Sequence, residues 1–129
     1  PELHRRPANL RVEDGRLVIQ AIKTGNTWTS ARIKTQDKRE FLHGKMEFRA
    51  KLPVGAGPWP AAWMLGANFD QVGWPACGEI DVLEWSGLQP GVVGQATHSP
   101  SRFGGNSIEV KTPVANLGTQ FHTYAVVWE

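Results

Sequence analysis

Cysteine is nearly absent: Cys77 is the single one in 129 residues. An internal disulfide is therefore excluded, and no zinc-type Cys/His spacing exists. The four histidines, His4, His43, His98 and His122, lie far apart, and no metal ligand set is assigned. Charge of one sign is also lacking. Fourteen Lys and Arg face twelve Asp and Glu, a net charge of +2. The basic residues are scattered, with no basic stripe interleaved with aromatics, so nucleic acid is not the expected partner. No apolar run reaches membrane length and no signal peptide is visible. The chain opens on Pro1, in keeping with a processed or trimmed N-terminus, so the missing signal does not argue against secretion. Sustained helical periodicity, internal repeats and low-complexity tracts are absent as well. The length fits one small globular domain.

Tryptophan is abundant, with six residues: Trp28, Trp59, Trp63, Trp74, Trp85 and Trp128. Core packing accounts for some of them. An exposed indole offers another use, because a pyranose has an apolar C–H face that stacks on it as a base stacks on an aromatic ring. Fourteen glycines and nine prolines fall mostly between short strand candidates, as turn chemistry requires. "NLRVEDGRLVIQAIK" reads as a hairpin turning at Glu13-Asp14-Gly15. "TSARIKT" (29–35) alternates Ser30, Arg32 and Lys34 against Ala31 and Ile33. "HGKMEFRAKLP" alternates Met46, Phe48 and Ala50 against Lys45, Glu47, Arg49 and Lys51, the mark of a half-buried antiparallel strand. "PWPAAWML", "GEIDVLEW", "GVVGQATHS", "NSIEVKT" and "FHTYAVVWE" complete the set. The expectation is an all-β domain of two packed antiparallel sheets. "FHTYAVVWE" is an apolar strand with no turn or partner after it, and an uncovered edge is a liability. A larger domain, of which this chain is a part, is therefore expected.

"CGEIDVLEWSG" holds three carboxylates: Glu79, Asp81 and Glu84. On a regular strand Glu79 and Asp81 share a face and Glu84 points the other way. Three readings compete. The segment is a solvated acidic face, a hard-cation site, or an acid/base pair for glycoside hydrolysis. A cation loop would carry denser Asp/Asn/Gly ligand spacing. Glycoside hydrolysis needs one ionised and one protonated carboxyl flanking the bond, roughly 5–5.5 Å apart in a retaining enzyme. A β-bulge between Asp81 and Glu84 would restore the parity and line all three acids on one face. Three carboxylates so close cannot all ionise cheaply, so a proton should settle on one of them. Asp81, in the middle, would orient and tune a neighbouring glutamate. Cys77 reads as packing beside the strand, not as a nucleophile.

"WPACGEIDVLEW" (74–85) closely resembles the active-site strand of glycoside hydrolase family 16, in its bulged, laminarinase-like branch. "VEDGRLVIQA", "TSARIKT", "HGKMEFRAKLPVGAGPWPAAWML" and "ATHS" resemble laminarinase-like segments in the same order. The resemblance covers nearly the whole chain. It implies a concanavalin- or lectin-like jelly-roll sandwich, here a partial catalytic domain over residues 1–129, incomplete at both ends. It implies Glu79 as nucleophile, Glu84 as general acid/base and Asp81 as the residue assisting Glu79. It implies sugar contacts from Trp59, Trp63 and Trp74, from Asn9 and Arg32 on the glycone side, and from His98 near the leaving group. Each has a plainer reading: a surface strand residue for Arg32, a turn residue for Asn9, a structural histidine for His98, core for one of Trp59 and Trp63. No cofactor is implied. The family's calcium site draws on both chain ends, so it belongs to the full-length domain only.

The expected activity is retaining, endo-acting hydrolysis of β-1,3-glucosidic bonds in laminarin-type or mixed-linkage β-glucans. A non-catalytic β-glucan-binding module is the alternative from another class. The same chemistry on agarose or carrageenan is a third reading, since distal subsites sit on variable loops. The expected partner is the polysaccharide, with no membrane, a monomeric state and an extracellular location.

Overall fold

The computed structural model describes residues 7–129. The chain forms two compact units, Pro1–Arg39 and Glu40–Glu129. The first unit carries two hairpins. Strands β1 (Leu10–Glu13) and β2 (Arg16–Ile19) pair antiparallel with Glu13 opposite Arg16. The connecting Asp14 and Gly15 both have positive φ, 50° and 70°. That is the two-residue turn whose twist suits a hairpin, and Asp-Gly is a preferred pair for it. Strands β3 (Ile22–Thr24) and β4 (Thr27–Thr29) form the second hairpin. The alternating segment that follows Thr29 forms no strand. Alternation gives a segment two faces, but a strand also needs a ladder for its backbone groups, and β4 pairs only with β3.

The second unit has a four-stranded antiparallel sheet in the order β6-β7-β8-β9 and a two-stranded sheet of β5 and β10. These strands are β5 (Gly44–Ala50), β6 (Ala61–Leu65), β7 (Glu79–Trp85), β8 (Val92–His98), β9 (Ile108–Pro113) and β10 (His122–Trp128). The four-stranded sheet follows sequence order, so each strand returns beside its predecessor. A single helical turn, α1 (Phe69–Val72), lies between β6 and β7. Val82, Leu83, Trp85 and Val93 of the larger sheet form the core with Tyr124 of β10 and with Leu52 and Leu117 from connecting segments. Each such side chain contributes roughly 1.5–3 kcal/mol by burial. The described residues are all-β, as the turn and strand patterning predicts. None of their helices is long and apolar enough to cross a membrane.

Candidate active site

Strand β7 owes its geometry to one extra residue. On the β8 side, Glu79 pairs with His98, Asp81 with Ala96 and Glu84 with Gly94. Three steps along β7 thus match two along β8. On the β6 side, Asp81 pairs with Trp63 and Leu83 with Ala62, so Val82 is passed over. This is a β-bulge at the position the sequence predicts. Cross-strand partners share a face. Glu79, Asp81 and Glu84 therefore line one face together with Trp63, His98, Ala96 and Gly94. The opposite face sends Val82, Leu83 and Trp85 into the core.

Close backbone packing delivers the chain to that strand. A Cβ on Gly66, just after β6, would lie 2.0 Å from the Cys77 carbonyl oxygen, so only glycine fits. Gly66 N–H donates to the Gly78 carbonyl at 3.3 Å. Gly78 itself has φ of 77°, the left-handed region that glycine enters without steric cost. Cys77 is a free, half-buried thiol beside this crossing.

Two indoles hold the outer acids. Trp74 Nε1–H donates to Glu79 Oε2 at 2.6 Å, and Trp59 Nε1–H donates to Glu84 Oε1 at 3.1 Å. Trp59 is 73% exposed and Trp74 is 44% exposed, so each presents ring surface to solvent while its N–H is engaged. Trp74 is braced edge-on by Phe103, at 5.4 Å between centroids, and by His98 at 5.8 Å. Trp85 is core, and Trp128 stacks on His43.

Asp81 lies between the glutamates and is only 4% exposed. Burial, then the charges of Glu79 and Glu84, then a hydrogen bond with Glu79 push its carboxyl up from 3.8 to about 7. The middle acid thus keeps its proton towards neutrality. His98 Nε2 stands 3.2 Å from Asp81 Oδ2, within ion-pair distance but not aligned as a hydrogen bond. The Gly104 N–H donates to His98 Nδ1 at 3.1 Å. Nδ1 therefore carries the lone pair, and Nε2, on the Asp81 side, carries the hydrogen. Donor atoms of Glu79, Asp81 and His98 lie within 4.8 Å of one another, close enough to hold a cation. A metal on Nε2 would require the other tautomer and would forfeit the Gly104 bond.

The residues match the model of the family described as glycosyl hydrolases family 16 over positions 3–129. The chain belongs to glycosyl hydrolase family 16. A laminarinase from Flavobacterium sp. UMI-01 superposes with a TM-score of 0.92 at 47% identity, over 96% of this chain and 54% of that one. A glucan endo-1,3-beta-glucosidase of Cryptopygus antarcticus is 37% identical over 95% of this chain and 49% of its own length. A beta-1,3-glucan-binding protein of Penaeus monodon is 50% identical over 48% of this chain. The chain spans about half the length of the first two relatives. The likeness to solved family 16 structures extends the sheet arrangement above to the family's antiparallel jelly-roll sandwich.

Of the residues singled out in the sequence, Glu79, Asp81, Glu84, Trp59, Trp63, Trp74 and His98 all belong to the second unit, around one sheet face. Asn9 and Arg32 belong to the first. Asn9 is fully buried there, and its Nδ2 donates to the Gln20 carbonyl at 2.8 Å and to Thr29 Oγ1 at 3.2 Å. In that unit its side chain ties the N-terminal segment to the two hairpins. Two features escape the sequence reading. The Gly104 N–H fixes the His98 tautomer, and a backbone donor leaves no residue-type signal. Glu109 and Lys111 of β9 pair across Ala96 and Gly94, which places them on the carboxylate face. As a charged pair at 3.3 Å they read in sequence only as an alternating wet strand.

Proposed function

We propose that the protein is a retaining, endo-acting glycoside hydrolase that cleaves β-1,3-glucosidic bonds in laminarin-type or mixed-linkage β-glucans. The bulge in β7 carries the reading, because it puts three acids on one face where a regular strand would divide them. In this reading Glu84 gives its proton to the leaving glycosidic oxygen while Glu79 attacks the anomeric carbon. The C–O bond breaks and a glycosyl ester to Glu79 forms. Water then gives a proton to Glu84, attacks the same carbon and releases Glu79. Trp59 N–H needs Glu84 Oε1 as its acceptor, so the acid proton belongs on Oε2. Asp81, protonated up to about pH 7, adds no charge beside Glu79 and holds it by a hydrogen bond. The exposed faces of Trp59 and Trp74 suit pyranose C–H surfaces. A polymer substrate of this kind fits an extracellular location.

The relatives named as a laminarinase and a glucan endo-1,3-beta-glucosidase support the glucan as substrate. The relative named as a glucan-binding protein favours a second reading, binding without turnover, which the retained acid pair opposes. The test is product release from laminarin, with lichenan and agarose alongside, for the protein and its Glu79→Gln and Glu84→Gln variants. Laminarin cleavage lost in both variants is expected. Cleavage of agarose alone moves the substrate class, and calorimetric binding of β-1,3-oligosaccharides without products establishes the binding module.

A further inference from the structure

A bulge leaves one strand with two residues opposite one on its partner. Here the two are Val82 and Leu83, and the one is Gln95 of β8. Val82 has no register partner on β6 either. It is nonetheless completely buried, so its carbonyl needs a hydrogen-bond donor away from water. Gln95 supplies one. Its Nε2 donates to the Val82 carbonyl at 2.9 Å and to the Ala125 carbonyl at 3.2 Å. Ala125 belongs to β10 of the facing sheet. One side-chain amide thus spends both of its hydrogens, joining the extra residue of the bulge to the second sheet.

The position of Gln95 separates this role from substrate contact. Gly94, Ala96 and His98 share the face of the three acids through their pairing with Glu84, Asp81 and Glu79. Gln95 alternates with them and points the opposite way, between the sheets. Among side chains of similar length, Glu has no donor when ionised and Met has none at all, while Asn is one methylene short.

We infer that Gln95 is a positioning residue, whose amide clamps the Val82 carbonyl and fixes the bulge that sets Glu84 against Glu79 and Asp81. The inference rests on the reading of β7 as the catalytic strand. A glutamine that merely filled the interior would change stability and leave the reacting groups in place. A clamp on the bulge changes their relative position, and misplacement on the order of 1 Å costs roughly 100-fold in rate.

The test compares the wild type with Gln95→Met, which keeps the shape and removes both donors. Laminarin kinetics are measured beside hydrogen–deuterium exchange of a peptide spanning 79–85. The expected result is a fall in kcat on the order of 10- to 100-fold with KM retained, together with faster exchange in that peptide. Wild-type exchange, or wild-type kcat in an active protein, overturns the inference. If Gln95→Met does not fold, Gln95→Asn carries the same comparison. In the wild type itself, both Gln95 side-chain amide protons should be protected in NMR exchange experiments, and exchange at the free-amide rate overturns the clamp without any substitution. A wild type that leaves laminarin uncut fails the hydrolase reading instead, and peptide exchange then decides whether Gln95 holds the bulge.

Discussion

Asp81 differs from its two acidic neighbours by burial as well as by residue type. Its folded carboxyl holds a proton up to about pH 7, whereas the free group releases it near 3.8. Between those values the folded state binds a proton that the unfolded state has lost. Stability therefore falls as pH rises through that window, and the contribution of this group is fully present only below about pH 4. We expect Asp81→Asn to flatten that fall and to raise the thermal midpoint at pH 7 relative to wild type, while turnover drops. Midpoints measured from pH 4 to 8 check this, and an unchanged slope contradicts it. Trp74 gives a second prediction at this scale. Trp74→Phe keeps an aromatic ring beside Phe103 and His98 but removes the N–H that Glu79 accepts. Hydrogen bonds to charged groups contribute about 1.5–3 kcal/mol. The expected loss in kcat/KM is roughly 10- to 100-fold, with little change in thermal midpoint. The sequence made the acids legible because their spacing is tied to their chemistry. It did not show that Asp81 is buried enough to keep its proton towards neutrality, because burial is decided by strands remote in sequence.

The decisive element is β7, and its bulge was legible from parity alone: Glu79 and Asp81 agree, Glu84 disagrees, and one extra residue reconciles them. Its support was not legible. Gln95 looks like any polar residue in "GVVGQATHS" until the register shows it facing two residues at once. The close crossing at Gly66 was hidden for the same reason, since a glycine among fourteen carries no label saying which needs its missing Cβ. A methyl group there would lie 2.0 Å from the Cys77 carbonyl oxygen, so the lead-in to β7 must shift. Overpacking of this kind costs about 1–3 kcal/mol. Gly66→Ala should lower the urea midpoint accordingly and lower activity through β7, whereas Gly105→Ala, with nothing near its added Cβ, should leave the urea midpoint near wild type. Equal midpoints in the two variants would contradict the account. Residues 30–35 teach the converse. Alternation predicts two faces, but β4 already pairs with β3 and the segment forms no strand.

For the whole molecule, the class was readable from turn residues and the missing helical period, and the sandwich follows from strands whose inner faces supply Val82, Leu83, Trp85, Val93 and Tyr124. Asn9 shows the limit: the family resemblance implies a sugar contact for it, while its burial in its own unit, with its amide donating to Gln20 and Thr29, depends on hairpin pairing that residue type does not announce. The central claim is that the bulged strand presents Glu79 and Glu84 to one anomeric carbon from the same side of the sheet. The most direct measurement is proton NMR of laminarin digestion, recording the anomeric configuration of the first-formed reducing ends in the wild type and in Glu79→Gln. Two successive displacements predict β-configured ends at first, decaying by mutarotation, and no product from Glu79→Gln. First-formed α ends, or undiminished hydrolysis by Glu79→Gln, would contradict the account.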